Sequence, residues 1–494
     1  MRDRLTLPHL LLILAEVIML GVLATVSSSH FGLADGARIT LSFLLAYLVP
    51  RLLLLRSRGS STTACTILFL VAVLMCYFDY SRLLNWTFFD EFSLQRPNLR
   101  GDARVLYKWA LNVFQGEEPI DHVVFPGFPM LMVGLWKIFG LNSLWPLSMN
   151  LMFTLTSVVL TGLTTRRILS QRVSASAQAL VAGGMLLTCL LIYFLTMCTA
   201  MLKEGSIAFS IAMSGYALSS MVAHDQERHH PWRDIVLFVV ACALLGMVRT
   251  TYLYFILLGV IALSLPRLRR SWPVTLLMCA VVGLSLLLGD HFSSYSFDRH
   301  VEIAGGGWNM QRFFVISESQ RFYHDLLNYY FLYPIWHKVL MLPLTMSVQF
   351  IIPLPWSYYE TSSIINMLSR MTYGWYFVGG TAVFYYLYAS WRRSMSMGAW
   401  AWWPALCFVV IAYVMAGSVA RYVVPIQPLF VPVAMYVLCR LYEGRWRKPY
   451  IVWMIVFIVL LAVALCLCLE IQQCTFSKMF HTQSLVNYLK GLDY

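Results

Sequence analysis

Apolar runs of about 20 residues recur along the whole chain and constrain its fold more than any other feature of the sequence. As a helix, a run of this length spans the hydrocarbon core of a bilayer. With 59% hydrophobic and 12% charged residues and a mean hydropathy of +0.69, the 494-residue chain cannot fold as a water-soluble globule. We therefore predict an all-α polytopic membrane protein.

The apolar pattern fits best to about 13 transmembrane helices, interrupted by two long segments over 83–142 and 291–370. We divide the chain into an N-terminal two-span extension (1–61), a central module (62–440) and a last span with the C-terminal tail (441–494). The predicted spans are 5–27, 37–55, 62–82, 143–168, 176–199, 201–223, 234–248, 250–265, 273–290, 371–390, 398–417, 421–440 and 450–471.

The net charge of +13 comes from cations placed around the spans, so it does not indicate a nucleic-acid partner. With the N-terminus inside, 19 of the 36 lysines and arginines lie at cytoplasmic ends of the spans. The short outer connections hold only Arg38, Lys203, Arg249 and Arg421. This bias follows the positive-inside rule and predicts that both long segments are extracytoplasmic.

The apolar segment 123–141 is the ambiguous part of this topology. A crossing here would invert everything downstream and place Arg166, Arg167 and Arg172 outside. We therefore expect Phe128 to Phe139 to form a short interfacial helix on the outer face, because it falls below the ~20 residues that a crossing needs. We interpret 338–356, which contains three prolines, as a second interfacial or re-entrant segment.

An amphipathic helix is predicted in the first long segment, with Asp102 at its head. Apolar side chains between Val105 and Val113 recur on one face, and polar ones between Arg104 and Gln115 lie opposite. We expect this helix to lie flat on the bilayer. Spacing alone favours a helix N-cap as the role of Asp102.

Further charged residues fall on the predicted outer face. Lys203-Glu204 stands at the start of a span and is either an interfacial anchor or part of a functional site. Arg249 separates two spans, where an arginine near hydrocarbon needs a partner. Arg421 either snorkels to the interface or binds a phosphate, which its planar fork suits. A transporter would instead need polar groups near mid-membrane, where only Glu16 lies.

The second long segment carries histidines, carboxylates and the run Gly305-Gly306-Gly307. The spacings between these side chains are not specific for a metal site. A flexible, hydrated loop that binds an acceptor substrate fits the glycine run better. The histidines and carboxylates are His291, Asp298, His300, Glu302, Glu318, His324, Asp325 and His337.

The first long segment resembles the first extracytoplasmic loop of GT-C glycosyltransferases, the class of protein O-mannosyltransferases and lipid A aminoarabinose transferases. The match rests on Gly101-Asp102-Ala103-Arg104, Tyr107, Ala110, Gly116, Phe125-Pro126-Gly127-Phe128-Pro129 and Phe139-Gly140. Arg421-Tyr422, followed by Pro425 and Pro428, is a second match. The likeness covers about 62–440, and it departs where two spans precede the loop and where Gly205 replaces a family proline after Glu204.

The resemblance implies transfer of a hexose or pentose from a polyprenyl-phosphate donor to a hydroxyl of a glycan, lipid or protein, with inversion. Asp102 would be the catalytic base, and Asp90-Glu91 is either the second acid or ordinary loop charge. Arg421, Arg249 and Lys203 would hold the donor phosphate, while Glu204, Tyr422 and Tyr107 are further site candidates. Some members of the class bind a divalent metal, so such a cofactor stays open.

Two other functions remain open at this stage. A polysaccharide polymerase or ligase would use similar outer arginines with a diphosphate-linked glycan, and a lipid-linked sugar flippase would need no catalytic acid. Short loops and compact size favour a bacterial inner membrane, with the active site facing the periplasm or exterior and with membrane lipids around the spans.

Overall fold

The computed structural model describes residues 7–57, 59–85, 101–118, 126–222, 231–264, 268–292, 339, 342, 373–391, 397–415, 423–444 and 447–473. Within these ranges all regular elements are helical, with no strand. The helices are α1 (Leu7–Phe31), α2 (Leu33–Leu55), α3 (Thr62–Asn85), α4 (Gly101–Gln115), α5 (Gly127–Phe139), α6 (Leu144–Leu169), α7 (Ala177–Cys189), α8 (Ile192–Thr199), α9 (Glu204–Ser219), α10 (Pro231–Val248), α11 (Thr251–Ser264), α12 (Leu268–Phe292), α13 (Thr381–Trp391), α14 (Trp402–Met415), α15 (Val431–Tyr442) and α16 (Arg447–Gln473).

Short helical pieces precede three of the last helices. A turn over Tyr373–Trp375 and a π-helical stretch over Tyr376–Gly380 lead into α13. The 3₁₀ stretches Gly398–Trp400 and Val424–Phe430 precede α14 and α15. Pro425 and Pro428 lie in the second of these stretches, and each lacks the backbone N–H that a continuous α-helix would use.

Five apolar helices are long enough to cross a membrane, which supports the assignment to integral membrane proteins. A described helix also overlaps each predicted span, although 176–199 is divided between α7 and α8 at Leu190 and Leu191. Thirteen crossings remain a prediction, because α11, for example, has only 14 residues. The five helices are Leu7–Phe31, Leu33–Leu55, Leu144–Leu169, Trp272–Gly289 and Val424–Tyr442.

Helix α6 is the central helix of the described bundle. Its most apolar 18-residue window is 89% buried, against 11% for α1, whose leucines and valines face outward. The hydroxyls of Thr154, Ser157 and Thr161 each donate to the carbonyl one turn earlier, at 2.7 to 2.8 Å. Polar side chains can therefore lie in this core without unmatched donors.

Contacts along α6 fix the directions of α9 and α10. Phe153 of α6 stacks on Phe209 of α9, and Arg167 near the end of α6 donates to the carbonyl of Tyr216 near the end of α9. These two helices therefore run parallel. Arg167 also pairs with Asp234 at the start of α10, with 3.1 Å between Nη2 and Oδ2. Helix α10 consequently runs antiparallel to both, and we name this side of the bundle the Arg167 end.

The Arg167 end also collects the ends of other helices. Glu443, directly after α15, accepts from the Ser174 hydroxyl at 3.0 Å and pairs with Arg440 at 2.8 Å. Gln178 of α7 donates to the carbonyl of Ser60 just before α3. Cations assigned to the cytoplasmic side from sequence, Arg167 and Arg440 among them, thus meet at one end of the described bundle.

A partly buried carboxylate joins the first two helices. Glu16 of α1 accepts from the Tyr47 hydroxyl at 2.5 Å and pairs with Nε of Arg51 at 3.1 Å, both from α2. A carboxylate with two such partners is stabilised in a low-dielectric interior. The contacts support the interpretation of Glu16 as a structural, hydrogen-bonded group.

Helices α6 and α7 approach closely through glycines. A side-chain carbon at Gly162 would lie 2.8 Å from both the Val181 carbonyl oxygen and Cγ of Met185. Gly184 of α7 faces the same contact, because its added carbon would lie 3.1 Å from Cα of Gly162. Small residues let apolar helices pack backbone to backbone, which gains van der Waals contact.

Gly162→Ala should separate α6 from α7 and destabilise the protein by about 1–3 kcal/mol, because backbone atoms cannot move aside as a flexible side chain can. The matched control is Gly134→Ala in α5, where the added methyl group meets no atom within 4 Å. The midpoint of thermal unfolding in detergent measures both variants. Equal midpoints for the two variants would contradict the close α6–α7 contact.

Candidate functional site

Asp102 lies in the first turn of α4 with an exposed side chain. The partial positive charge at a helix N-terminus stabilises a carboxylate in the first turn. The residues before Gly101 lie outside the described ranges, so the N-cap role that the spacing favours stays an alternative.

The apolar face of α4 packs against protein. Tyr107 makes an edge-to-face contact with Trp136 of α5, with ring centroids 5.1 Å apart, and Phe114 contacts the same indole at 5.9 Å. Leu106, Trp109 and Ala110 of the predicted apolar face are buried, whereas Val105 is 39% exposed. The orientation of α4 along the bilayer stays a prediction.

Three residues of the GT-C-like pattern have structural roles in α4. Tyr107 packs on Trp136, and Ala110 is fully buried. Gly116 has φ +81°, and the N–H groups of Gly116 and Glu117 donate to the carbonyls of Val113 and Asn112. This is a Schellman termination, which favours glycine at the left-handed position. Asp102 is the member of this set whose side chain is exposed.

Helix α5 lies across the bundle at the end opposite Arg167. A side-chain carbon at Gly127 would overlap the Met247 carbonyl near the end of α10. At the other end of α5, Phe139 contacts Trp145 at the start of α6, with centroids 4.8 Å apart. Both ends of α5 therefore contact the same end of the bundle, as expected for a helix that does not cross.

The turn between α8 and α9 holds Lys203 and Glu204 at this end. The buried Asn150 of α6 donates from Nδ2 to the carbonyls of Ala200 and Leu202, the latter at 2.8 Å. Lys203 is half-buried, and Glu204 is 2% exposed. We name this side of the bundle the Asn150 end. Asn150 has a positioning role that a carboxamide inside a predicted span could have indicated.

Gly205 explains one departure from the GT-C pattern. A side-chain carbon here would overlap the Cys198 carbonyl and lie 2.8 Å from Oδ1 of Asn150. A proline at this position, as the resemblance would lead one to expect, would meet the same atoms. The turn therefore requires the smallest residue directly after Glu204.

Arg249 lies in the turn between α10 and α11, also at the Asn150 end. It is 7% exposed, and its guanidinium carbon lies 5.8 Å from the ring centroid of Tyr252. An aromatic face at this range attracts a cation. The end of α12 meets this turn, because a side-chain carbon at Gly289 would overlap the Thr250 methyl group. The second long segment thus leaves the bundle at the same end.

The structure brings Lys203, Glu204 and Arg249 to one end of the bundle, under the α4–α5 pair that carries Asp102. The other predicted site residues, Asp90, Glu91, Arg421 and Tyr422, lie outside the described residues, as do most of 291–370 and 338–356. In the ranges that the structure describes, no group of three or more His, Cys, Asp or Glu residues could hold a metal ion.

Comparison of the chain with family models, curated proteins and solved structures finds no match.

Cysteines introduced at Glu118 and Ile138, both exposed at the Asn150 end, should react from outside with an impermeant thiol reagent in intact cells. A cysteine at the exposed Gln171, beside the Arg167 end, should stay unlabelled until the membrane is permeabilised. The experiment needs a background without other reactive cysteines. Labelling of only one of the first two positions would contradict the placement of α5 along a single face.

Proposed function

We propose that this chain is an integral membrane glycosyltransferase of the GT-C type, which moves one sugar from a polyprenyl-phosphate donor to an acceptor hydroxyl. The observation that carries the proposal is the arrangement at the Asn150 end. An exposed carboxylate, Asp102, lies on a helix packed over an end of the bundle where Glu204 and Arg249 are buried. This arrangement supports a base and cations that could hold an anion at the same end of the bundle.

In the proposed reaction Asp102 accepts the proton of the acceptor hydroxyl. The oxygen attacks the anomeric carbon from the face opposite the phosphate, and the bond between that carbon and the phosphate oxygen breaks. The products are an inverted glycoside and free polyprenyl phosphate. Exposure in the first turn of α4 keeps the carboxylate accessible to an acceptor. Asp90 and Glu91 are the runner-up bases.

The leaving phosphate gains charge as its bond to the sugar breaks, so fixed cations stabilise the transition state more than the bound donor. Arg249 fits this role because its guanidinium is held beside Tyr252 at the end of α10. Lys203, half-buried in a turn held by Asn150, supplies a second cation. Arg421 and Tyr422 complete the proposed donor site through the resemblance.

The bilayer location suits this substrate class. The polyprenyl tail of the donor stays among lipids while its phosphate meets the helix ends. We propose an extracytoplasmic active site in a bacterial inner membrane, with a glycan, lipid or protein as acceptor. The resemblance also allows a divalent metal as cofactor, and the steps above do not require one.

Asp102→Asn should reduce sugar transfer by about 10²–10⁴-fold while donor binding survives, because the amide cannot take the acceptor proton. The assay mixes purified protein with a labelled polyprenyl-phosphate sugar and follows the release of free polyprenyl phosphate. A polymerase or ligase that uses diphosphate-linked glycans, or a flippase, would release none from this donor.

Two further variants serve as matched controls for that experiment. Asp90→Asn and Glu91→Gln remove the runner-up acids, and both should retain transfer if Asp102 is the base. Full activity in Asp102→Asn together with a loss in Asp90→Asn would move the catalytic acid upstream and refute the role of α4.

Arg421→Lys should weaken binding of the donor by about ten- to a hundredfold, because lysine keeps the charge but loses the two-pronged contact with phosphate. Titration with a fluorescent polyprenyl phosphate measures the affinity. Arg104→Lys, on the exposed side of α4, is the control and should bind normally. Unchanged affinity in Arg421→Ala would assign Arg421 to interfacial anchoring instead.

A further inference from the structure

Several neutral polar groups at the Asn150 end are buried without a hydrogen-bond partner among the described residues, and three of these come from α6, the start of α9 and the turn before α11. These three are Oδ1 of Asn150, Oγ of Ser206 and Oγ1 of Thr250, and all three residues are fully buried. A buried polar atom left without a partner destabilises the fold, so such atoms are rare in native proteins. Three of them at one end of the bundle require an explanation.

Other buried hydroxyls of the same helices bond their own backbone, although Oγ of Ser214, near the Arg167 end of α9, also lacks a partner in the described part of the chain. Ser210, one turn after Ser206 on α9, donates to the Ser206 carbonyl at 2.8 Å. Thr161 on α6 donates to the Ser157 carbonyl at 2.8 Å. Hydroxyls in these helices can therefore bond their own backbone. At the Asn150 end, the hydroxyl of Ser206 makes no such bond.

The three groups come from neighbouring elements. Oδ1 of Asn150 points at Gly205, the residue before Ser206, since it lies 2.8 Å from the position of an added side-chain carbon there. Met213 of α9 and Ala241 of α10 pack in one cluster. The two helices are antiparallel, so a step of two turns from this contact leads back to Ser206 on α9 and forward to Val248 on α10. Ser206 therefore lies level with Val248, two residues before Thr250.

We propose that Asn150, Ser206 and Thr250 form a subsite that recognises the hydroxyl groups of the sugar on the donor. This inference rests on the proposed function. A sugar hydroxyl both donates and accepts, so it matches neutral amide and hydroxyl groups, whereas the phosphate matches the nearby Arg249. The subsite thus separates recognition of the sugar from recognition of the lipid phosphate.

The three residues are shielded from bulk water, so a sugar can reach them only if an element beside them moves. The turn Ala200–Lys203 is the non-helical link beside Asn150 and Ser206, and we assign the opening movement to it. Asn150 holds this turn through its amide group while its carbonyl oxygen stays without a partner in the described part of the chain. A sugar that bonds these groups satisfies them and stabilises the open form.

The test uses Ser206→Ala and Thr250→Val in the full-length protein in nanodiscs. Each change removes an unmatched buried hydroxyl, so the unfolding midpoint without ligand should stay equal or rise. Affinity for a sugar-bearing lipid should fall about five- to tenfold, the loss of one or two hydrogen bonds. Affinity for bare polyprenyl phosphate should not change.

The probes are polyprenyl phosphate, polyprenyl-phosphate mannose and polyprenyl-phosphate aminoarabinose. Ser210→Ala and Thr161→Val are matched controls with satisfied hydroxyls, and they should leave the preference for sugar-bearing over bare lipid at the wild-type value. An unchanged preference in Ser206→Ala and Thr250→Val would overturn the subsite and leave the proposed function standing. Failure of all three lipids to bind the folded wild-type protein would overturn the proposed function itself.

Discussion

Fixation of α6 at both ends is the constraint on which the rest of the described bundle depends. At one end the Arg167–Asp234 ion pair and the Tyr216 carbonyl join α6 to α9 and α10. At the other end Asn150 holds the turn that starts α9. Removing one partner of a buried ion pair costs roughly 3–5 kcal/mol, so these contacts stabilise the bundle. Their positions also fix the directions of α9 and α10. Contacts with α6 therefore position the α8–α9 turn and the end of α10.

The α4–α5 pair extends this framework into a surface that can carry chemistry. Trp136 is the centre of the pair, because Tyr107 and Phe114 pack on its ring while its Nε1 donates to the Asn142 carbonyl before α6. Aromatic contacts of this kind orient one helix on another. Asp102 is therefore carried by a helix whose rotation is set by packing. The proposed mechanism requires both features, a helix held in place by packing and an exposed carboxylate on that helix.

In the described part of the chain, more buried polar groups lack a partner at the Asn150 end than at the Arg167 end, where Oγ of Ser214 also lacks one. Arg167, Asp234, Ser174 and Glu443 form ion pairs and hydrogen bonds with one another and with backbone carbonyls. At the Asn150 end, Oγ of Ser206 and Oγ1 of Thr250 are buried without such bonds in the described part of the chain. Proteins keep unfavourable local arrangements mainly where function requires them. This contrast favours the Asn150 end as the functional one.

The sequence by itself determined the helical segments, because apolar runs and the distribution of arginines depend only on local composition. It also predicted that 128–139 is a helix that does not cross, since the alternation of cationic ends left no other topology. Only the tertiary structure showed that α4 packs on α5 through Trp136, because hydrophobicity does not distinguish a lipid partner from a protein partner. It likewise decided the roles of Asn150 and Gly205: their partners lie about 50 residues away or across a tight turn, and periodicity carries no information on such contacts.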